Sequence, residues 1–402
     1  MKKIWQLILV MLAVVVLNNC KFKNEPKEFT TKRWTPTLAA PLAEVNLTLQ
    51  NMLKSQDVQP FIKEDGNGLL TLIYQDTIFS ETIENYVILP NQTFNQEFKM
   101  PDANIPAFNV QLSFRDSVKG VESFDAGAAD RSLDFISFKG GLININLVST
   151  YNQNLDLVLT LPHLKNRLNN QPFVETFTLG PNGTANRPVN LQNYDLDLTR
   201  NNTFPKGLEY KIEYTIRKIS GNNVPAGAKI NTSIAISSPR YSFLRGFLGT
   251  FDIAVPPSLV QVDIFKNSYN ADLFLEDPRL KLYFDNSIGA SSSVNIPALE
   301  VRFNDATVPP RSITRNSSSF LDTTISSPSL SQIGQTAITE VLYNKNNSNI
   351  RNSFNPSPYT VRYSANVKVN PSATAVTNFV SDQSRVRVRA DVELPLEGRI
   401  NN

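Results

Sequence analysis

The 402-residue chain contains one histidine, His163, and one cysteine, Cys20. A zinc site of the Cys/His kind, a Cys–His nucleophile pair and an iron–sulfur cluster each need several such ligands, so those chemistries are excluded, while a metal held by oxygen ligands stays open. His163 falls in Leu161-Pro162-His163-Leu164-Lys165, just after a strand pattern. An imidazole there could act as a general base only with a nucleophile and an orienting carboxylate beside it. The sequence offers no Gly-x-Ser-x-Gly elbow to anchor such a triad, and His163 reads as a plain loop residue. Two carboxylates about 5 to 9 Å apart would suffice for glycoside hydrolysis. Asp65, Glu276, Asp277 and Asp285 could contribute to such a pair, although surface turns and strand ends account for them more simply. Asp65-Gly66-Asn67-Gly68 carries oxygen ligands but lacks the later acidic positions and terminal Glu of a calcium loop, and it reads as a hairpin turn. No catalytic residue, cofactor site or metal site is expected from these patterns.

A stronger chemical signal is Arg385-Val386-Arg387-Val388-Arg389. On a strand, alternation places Arg385, Arg387 and Arg389 on one face and the valines on the other. Three guanidinium groups in a ladder could hold a carboxylate or phosphate on a ligand or partner. They could equally form a solvated outer face that discourages edge pairing. The whole chain sets 39 Lys plus Arg against 36 Asp plus Glu, a balance that points away from nucleic acid.

Those residues need a scaffold, and the chain begins by saying where the scaffold goes. Lys2 and Lys3 precede an unbroken apolar run of 11 residues at 7–17. A membrane span needs about 20, so the run predicts an export signal that is removed. Cys20 follows at once, with Leu17 three residues before it and Asn18 and Asn19 where small residues are usual. This segment resembles the bacterial lipoprotein signal, which implies cleavage after residue 19 and acylation of Cys20. Residues 20–33 then read as a tether, with Lys21 rather than Asp after the cysteine, which by analogy with enterobacterial lipoproteins implies the outer membrane. Five basic residues against Glu25 and Glu28 could also touch anionic headgroups.

From Trp34 onward apolar and polar residues alternate in short runs. Clear examples are 142–147, 155–159, 194–198 and 210–216, separated by Asn, Gly, Pro and Ser clusters such as 181–188 and 219–227. An all-β fold of multiple sandwich modules follows, with a hydrophobic content of 41% ample for a core. Ser327-Pro328 followed by Leu330, Ile333, Ala337, Ile338, Val341 and Leu342 has three-and-four spacing, which predicts an amphipathic helix near 328–344. A shorter helical turn is expected over 49–54. Phe138-Lys139-Gly140-Gly141 and Phe247-Leu248-Gly249 echo one another, each placing an aromatic and then Gly before a strand start. The expected organisation is a signal at 1–19, a tether at 20–33, an N-terminal β region at 34–129, a sandwich module at 130–239 and a second at 240–402.

The opening Trp34-Thr35-Pro36-Thr37-Leu38, the stretch 241–249, Asp277-Pro278-Arg279-Leu280 and the closing Val392-Glu393-Leu394-Pro395-Leu396 resemble outer-membrane lipoproteins of Bacteroidota, a group that brings no activity with it. The strand and Asn-Ser-x-Gly turn at 280–289 is similar to the β-sandwich of LEA14-like domains. Asp76-Thr77-Ile78, Asp116-Ser117-Val118 and Asp322-Thr323-Thr324 resemble the acceptor of the Bacteroidota O-glycosylation system, in keeping with export. The functional expectation is a lipid-anchored envelope protein with a non-catalytic binding or structural role, contacting an envelope protein, a glycan or a lipid. The alternatives are a lipid-carrying β protein with a continuous apolar groove, or a glycan-active enzyme using paired carboxylates.

Overall fold

The computed structural model describes residues 61–199, 206–262, 272–303, 305–316, 323–356, 358–372 and 376–401. The signal, Cys20, the tether and the helical turn expected at 49–54 lie outside the described residues. The chain is all-β, built from several sheets, and among the described residues has two short α-helices at Ile105–Gln111 and Ile350–Phe354. Among the described residues no helix is long and apolar enough to cross a membrane.

Period-two alternation produces strands that bury one face, and the first sandwich shows why two layers result. One layer runs Gln92–Phe98, Ile230–Phe247, Ser132–Ser149, Thr184–Asn190, all antiparallel. The other runs Ser113–Ser123, Gly207–Arg217, Asn154–Asn166, Pro172–Leu179. Ile143, Ile145 and Leu147 from the first layer and Leu155, Leu157, Leu159, Ile212 and Tyr214 from the second are buried. Phe98 and Tyr214 stack across the interlayer space with ring centroids 4.2 Å apart. The short strand Tyr194–Asp197 bonds to both Ser132–Ser149 and Asn154–Asn166, so hydrogen bonding continues from one layer into the other.

Gly140 and Gly141 do not start a strand, as the echo with 247–249 suggested. They sit inside the 18-residue strand Ser132–Ser149, opposite an irregularity at 237–241. Gly141 has φ +112, and a Cβ there would lie 2.9 Å from the Pro239 Cα, so only glycine lets the two long strands bend together. Gly249, by contrast, is a true turn with φ +78 between Ile230–Phe247 and Phe251–Gln261.

The second sandwich faces two sheets. One is ordered Phe61–Glu64, Leu70–Thr82, Arg385–Pro395, Arg279–Asn286, Ala337–Tyr343. The other is ordered Phe251–Gln261, Pro358–Val369, Ser292–Phe303, Arg311–Ser312, with Thr323–Ile325 also on Ser292–Phe303. A small pair, Asp272–Leu275 with Gly398–Asn401, completes it. The Asp65 turn forms as its sequence dictates: Asp65 Oδ1 accepts the amides of Asn67 and Leu69 at 2.9 Å, and Gly68 takes φ +79. Strands from 61–82 thus join the C-terminal body, whereas 92–98 and 113–123 join the first sandwich.

The helix expected near 328–344 is not formed. A single 3-10 turn covers Leu330–Gln332, and Ala337–Tyr343 is a strand paired with Arg279–Asn286. Gly334, at φ +83, breaks any helix between them. From there the alternation of Val341 and Tyr343 buries them against the neighbouring strand and leaves Ile338 58% exposed, so pairing with a distant strand overrides local periodicity.

The two sandwiches interlock. Asn378–Ser381 leaves the C-terminal body to pair with Ile230–Phe247. Lys139 bridges Glu84 at 2.6 Å and Asp382 at 3.0 Å, and Asn370 Nδ2 donates to the Gly249 carbonyl at 2.8 Å. Phe379 lies directly on Gly289, where an added Cβ would stand 2.1 Å from the ring. Gly289→Ala is therefore expected to cost about 2 kcal/mol by overpacking, read as a lower urea midpoint at unchanged slope. An unchanged midpoint would contradict this close approach.

Candidate functional site

Alternation delivers the arginine ladder as the sequence implies: Val386 and Val388 are buried, Arg385 and Arg387 are exposed, and Arg389 is half-buried. Cross-strand register then adds a residue a hundred positions away. Asp285 pairs opposite Arg387, next to Tyr283 opposite Arg389. Its carboxylate is only 2% exposed. It accepts from Arg387 Nε at 2.8 Å and Nη2 at 2.7 Å, and from Arg389 Nε and Nη2 at 3.0 Å each. Burial by itself would raise the Asp285 pKa, but the hydrogen bonds from Arg389 and Arg387 outweigh it and hold the carboxyl below its ordinary range. Hydrogen bonding to Asp285 correspondingly raises Arg389, whose guanidinium also sits 4.9 Å over the Tyr283 ring.

Two of the three guanidinium groups are thus committed internally. Arg385 has no ion-pair partner among the described residues. It opens onto a recess of about 300 Å³ lined by Asp285, Ser287, Gly334, Thr336, Ser381, Gln383, Ser384, Arg385 and Arg387. The recess walls are held by their own hydrogen bonds. Ser384 Oγ donates to the Ser287 carbonyl at 3.0 Å, and Ser287 Oγ accepts the Arg385 amide at 2.8 Å. Leu330, Ile333 and Ile338, before and after Gly334 and Thr336 in the chain, are exposed apolar side chains. What the arrangement can do is present cationic N–H donors among hydroxyls to an anion.

The other carboxylates singled out by sequence do not converge as a pair of free acids. Asp65 holds its turn, Glu276 pairs with Arg351, Asp277 accepts from Arg279 Nε at 3.0 Å, and Asp285 belongs to the ladder. Further along the same face Lys281 bridges Glu393 at 2.6 Å and Gln75 donates to Asp391 at 3.1 Å. Among the described residues no three of His, Cys, Asp and Glu gather as metal ligands would.

His163 is not a loop residue. It lies within Asn154–Asn166, and its Nε2 is 2.9 Å from Glu209 Oε2. Asp197 is close enough for His163 to act on its charge. Burial works to raise the Asp197 pKa, yet the hydroxyl and amide hydrogen bonds of Thr199, then His163 and Arg245, bring it below the usual carboxylate value. Neither Glu209 nor Asp197 stood out in the sequence. Both are ordinary polar positions in alternating strands, and only the pairing of Asn154–Asn166 with Tyr194–Asp197 on one side and Gly207–Arg217 on the other brings them beside the histidine.

No protein-family model matches the sequence, and no curated protein matches it. Among solved structures, a protein of Parabacteroides distasonis described as secreted is similar at 11% identity, covering 82% of this chain and 91% of its own, with a TM-score of 0.21. A tandem of CBM22 domains from Xyn10C of Paenibacillus barcinonensis is similar at 10% identity, covering 80% and 98%, with a TM-score of 0.19. At such scores neither likeness bears on fold or function.

Proposed function

We propose that this chain is an exported, lipid-anchored protein of the outer membrane that acts by binding rather than by catalysis, with the Arg385 recess as its contact for an anionic group on a ligand or envelope partner. The observation that carries the reading is the state of the ladder. Asp285 fixes Arg387 and Arg389 in place, while Arg385, rigid in its backbone and open at its tip, faces hydroxyl groups across a recess. A guanidinium carried on a fixed strand beside hydroxyl groups presents several N–H donors to an anion without moving the backbone. The commitment of Asp65, Glu276, Asp277 and Asp285 to turns and cations speaks against their use as a hydrolytic pair. The anchor rests on the order of charged start, apolar run and Cys20 in the sequence.

Titration of the purified protein with citrate and with inorganic phosphate tests the recess. Arg385→Glu is expected to weaken binding at least tenfold without moving the unfolding midpoint, because Arg385 is exposed and makes no ion pair among the described residues. Equal affinity in the two proteins would leave the ladder as a solvated face. For the anchor, Cys20→Ser is expected to move the protein from the membrane fraction to the soluble fraction. Unchanged membrane association without incorporation of labelled fatty acid would defeat that part.

A further inference from the structure

A second face, on the first sandwich, carries a row of unlike side chains in register. Arg245 stands opposite Phe135, and Phe135 opposite Asp197. Leu164 pairs with Leu196, so one residue on, His163 comes opposite Asp197, and beyond it lies Glu209. Leu196, Ile136 and Leu244, at the intervening positions, are buried in the core, so Asp197, Phe135 and Arg245 point away from it. Phe243 lies two residues before Arg245 on the same strand, its ring 6.3 Å from that of Phe135 and tilted by 60°. The Arg245 guanidinium sits 5.5 Å from the Phe135 centroid.

All six residues are half-buried, so their stems are fixed while their ends reach the surface. The two rings touch one another and Phe243 also stacks on Phe379 at 6.3 Å, yet both residues keep part of their surface open, which is unfavourable in water. A face for an apolar partner would not interleave two carboxylates, a guanidinium and an imidazole with them. An anion would meet two carboxylates. The chemistry that uses every member is a neutral ring with C–H groups on one face and hydroxyls at its rim. The C–H face packs on the phenyl groups, hydroxyls donate to Asp197 and Glu209, hydroxyl oxygens accept from Arg245, and His163, 2.9 Å from Glu209, holds that carboxylate in place.

We propose that the row Glu209, His163, Asp197, Phe135, Arg245 and Phe243 binds a neutral pyranose unit of a glycan chain. None of the six lines the Arg385 recess, although Phe243 pairs with Ser381 of its wall, and neutral polysaccharides test this row apart from the anion recess.

Affinity electrophoresis of the full chain through native gels containing laminarin, xylan or dextran tests it. Retardation by at least one of the three is expected. It is expected to fall at least tenfold in both Phe135→Ala and Asp197→Asn. Phe135→Ala could loosen the sandwich, so Asp197→Asn carries the decision: it preserves size and can still accept the Thr199 hydrogen bonds, and its unfolding midpoint is measured alongside. No retardation by any of the three polysaccharides overturns the proposal, and so does retardation that Asp197→Asn leaves unchanged.

Discussion

A chain ending at residue 384 is expected to lose the whole C-terminal sandwich. The strand Arg385–Pro395 is central in its sheet, hydrogen-bonded along its length to Leu70–Thr82 on one side and Arg279–Asn286 on the other. Val386, Val388, Val392 and Leu394 are each no more than 1% exposed. Burying a side chain of this size contributes about 1.5–3 kcal/mol, and a typical domain has only about 5–15 kcal/mol in total. Without the strand, two neighbours also lose their ladder partners and expose apolar faces to water. Limited proteolysis should therefore degrade the region from 251 onward while the full-length chain resists. A truncated protein with the protease resistance and near-UV circular dichroism of the intact one would refute the strand order.

Asp285→Ala is expected to be the most costly single substitution on the outer face, at about 2–4 kcal/mol. It removes the acceptor of four N–H groups and leaves two guanidinium groups side by side. The estimate is kept below the upper range for buried pairs because Arg387 and Arg389 are 44% and 32% exposed and recover some hydration. The pH dependence has a definite sign. The folded Asp285 carboxyl is depressed relative to the unfolded chain, so its contribution is fully present above the ordinary aspartate pKa of about 3.9 and is lost as pH falls through the lower folded value. Wild type and Asp285→Ala should therefore differ in urea midpoint at pH 7 and converge in strong acid. A gap that stays constant into acid would show that the ion pairs are not its source. Asp285→Asn should fall between the two at pH 7, since it keeps one acceptor without the charge.

Much of the fold is local and could be read directly. Alternation over 142–147, 155–159 and 210–216 fixes strands and their buried faces, because a strand's side-chain period of two is a property of the backbone alone. The Asp65 turn is equally local, with acceptor, amides and left-handed glycine all within five residues. Local patterns mislead where two periods coexist. Leu330, Ile333, Ala337, Ile338 and Val341 fit a helix, but Val341 and Tyr343 also fit a strand, and the free edge of Arg279–Asn286 selected the strand.

By itself the sequence determined that the described chain is β-rich, that Arg385, Arg387 and Arg389 share a face, and that a hairpin turns at Asp65. Each follows from residues a few positions apart. Tertiary structure alone decided that Leu70–Thr82 lies beside Arg385–Pro395, that Asp285 bridges two of the three arginines, and that His163 meets Glu209 and Asp197. Those outcomes depend on which strand pairs with which. Many strands of similar pattern can form the same backbone hydrogen bonds, and the choice among them is made by how whole faces pack, which no short stretch of sequence encodes.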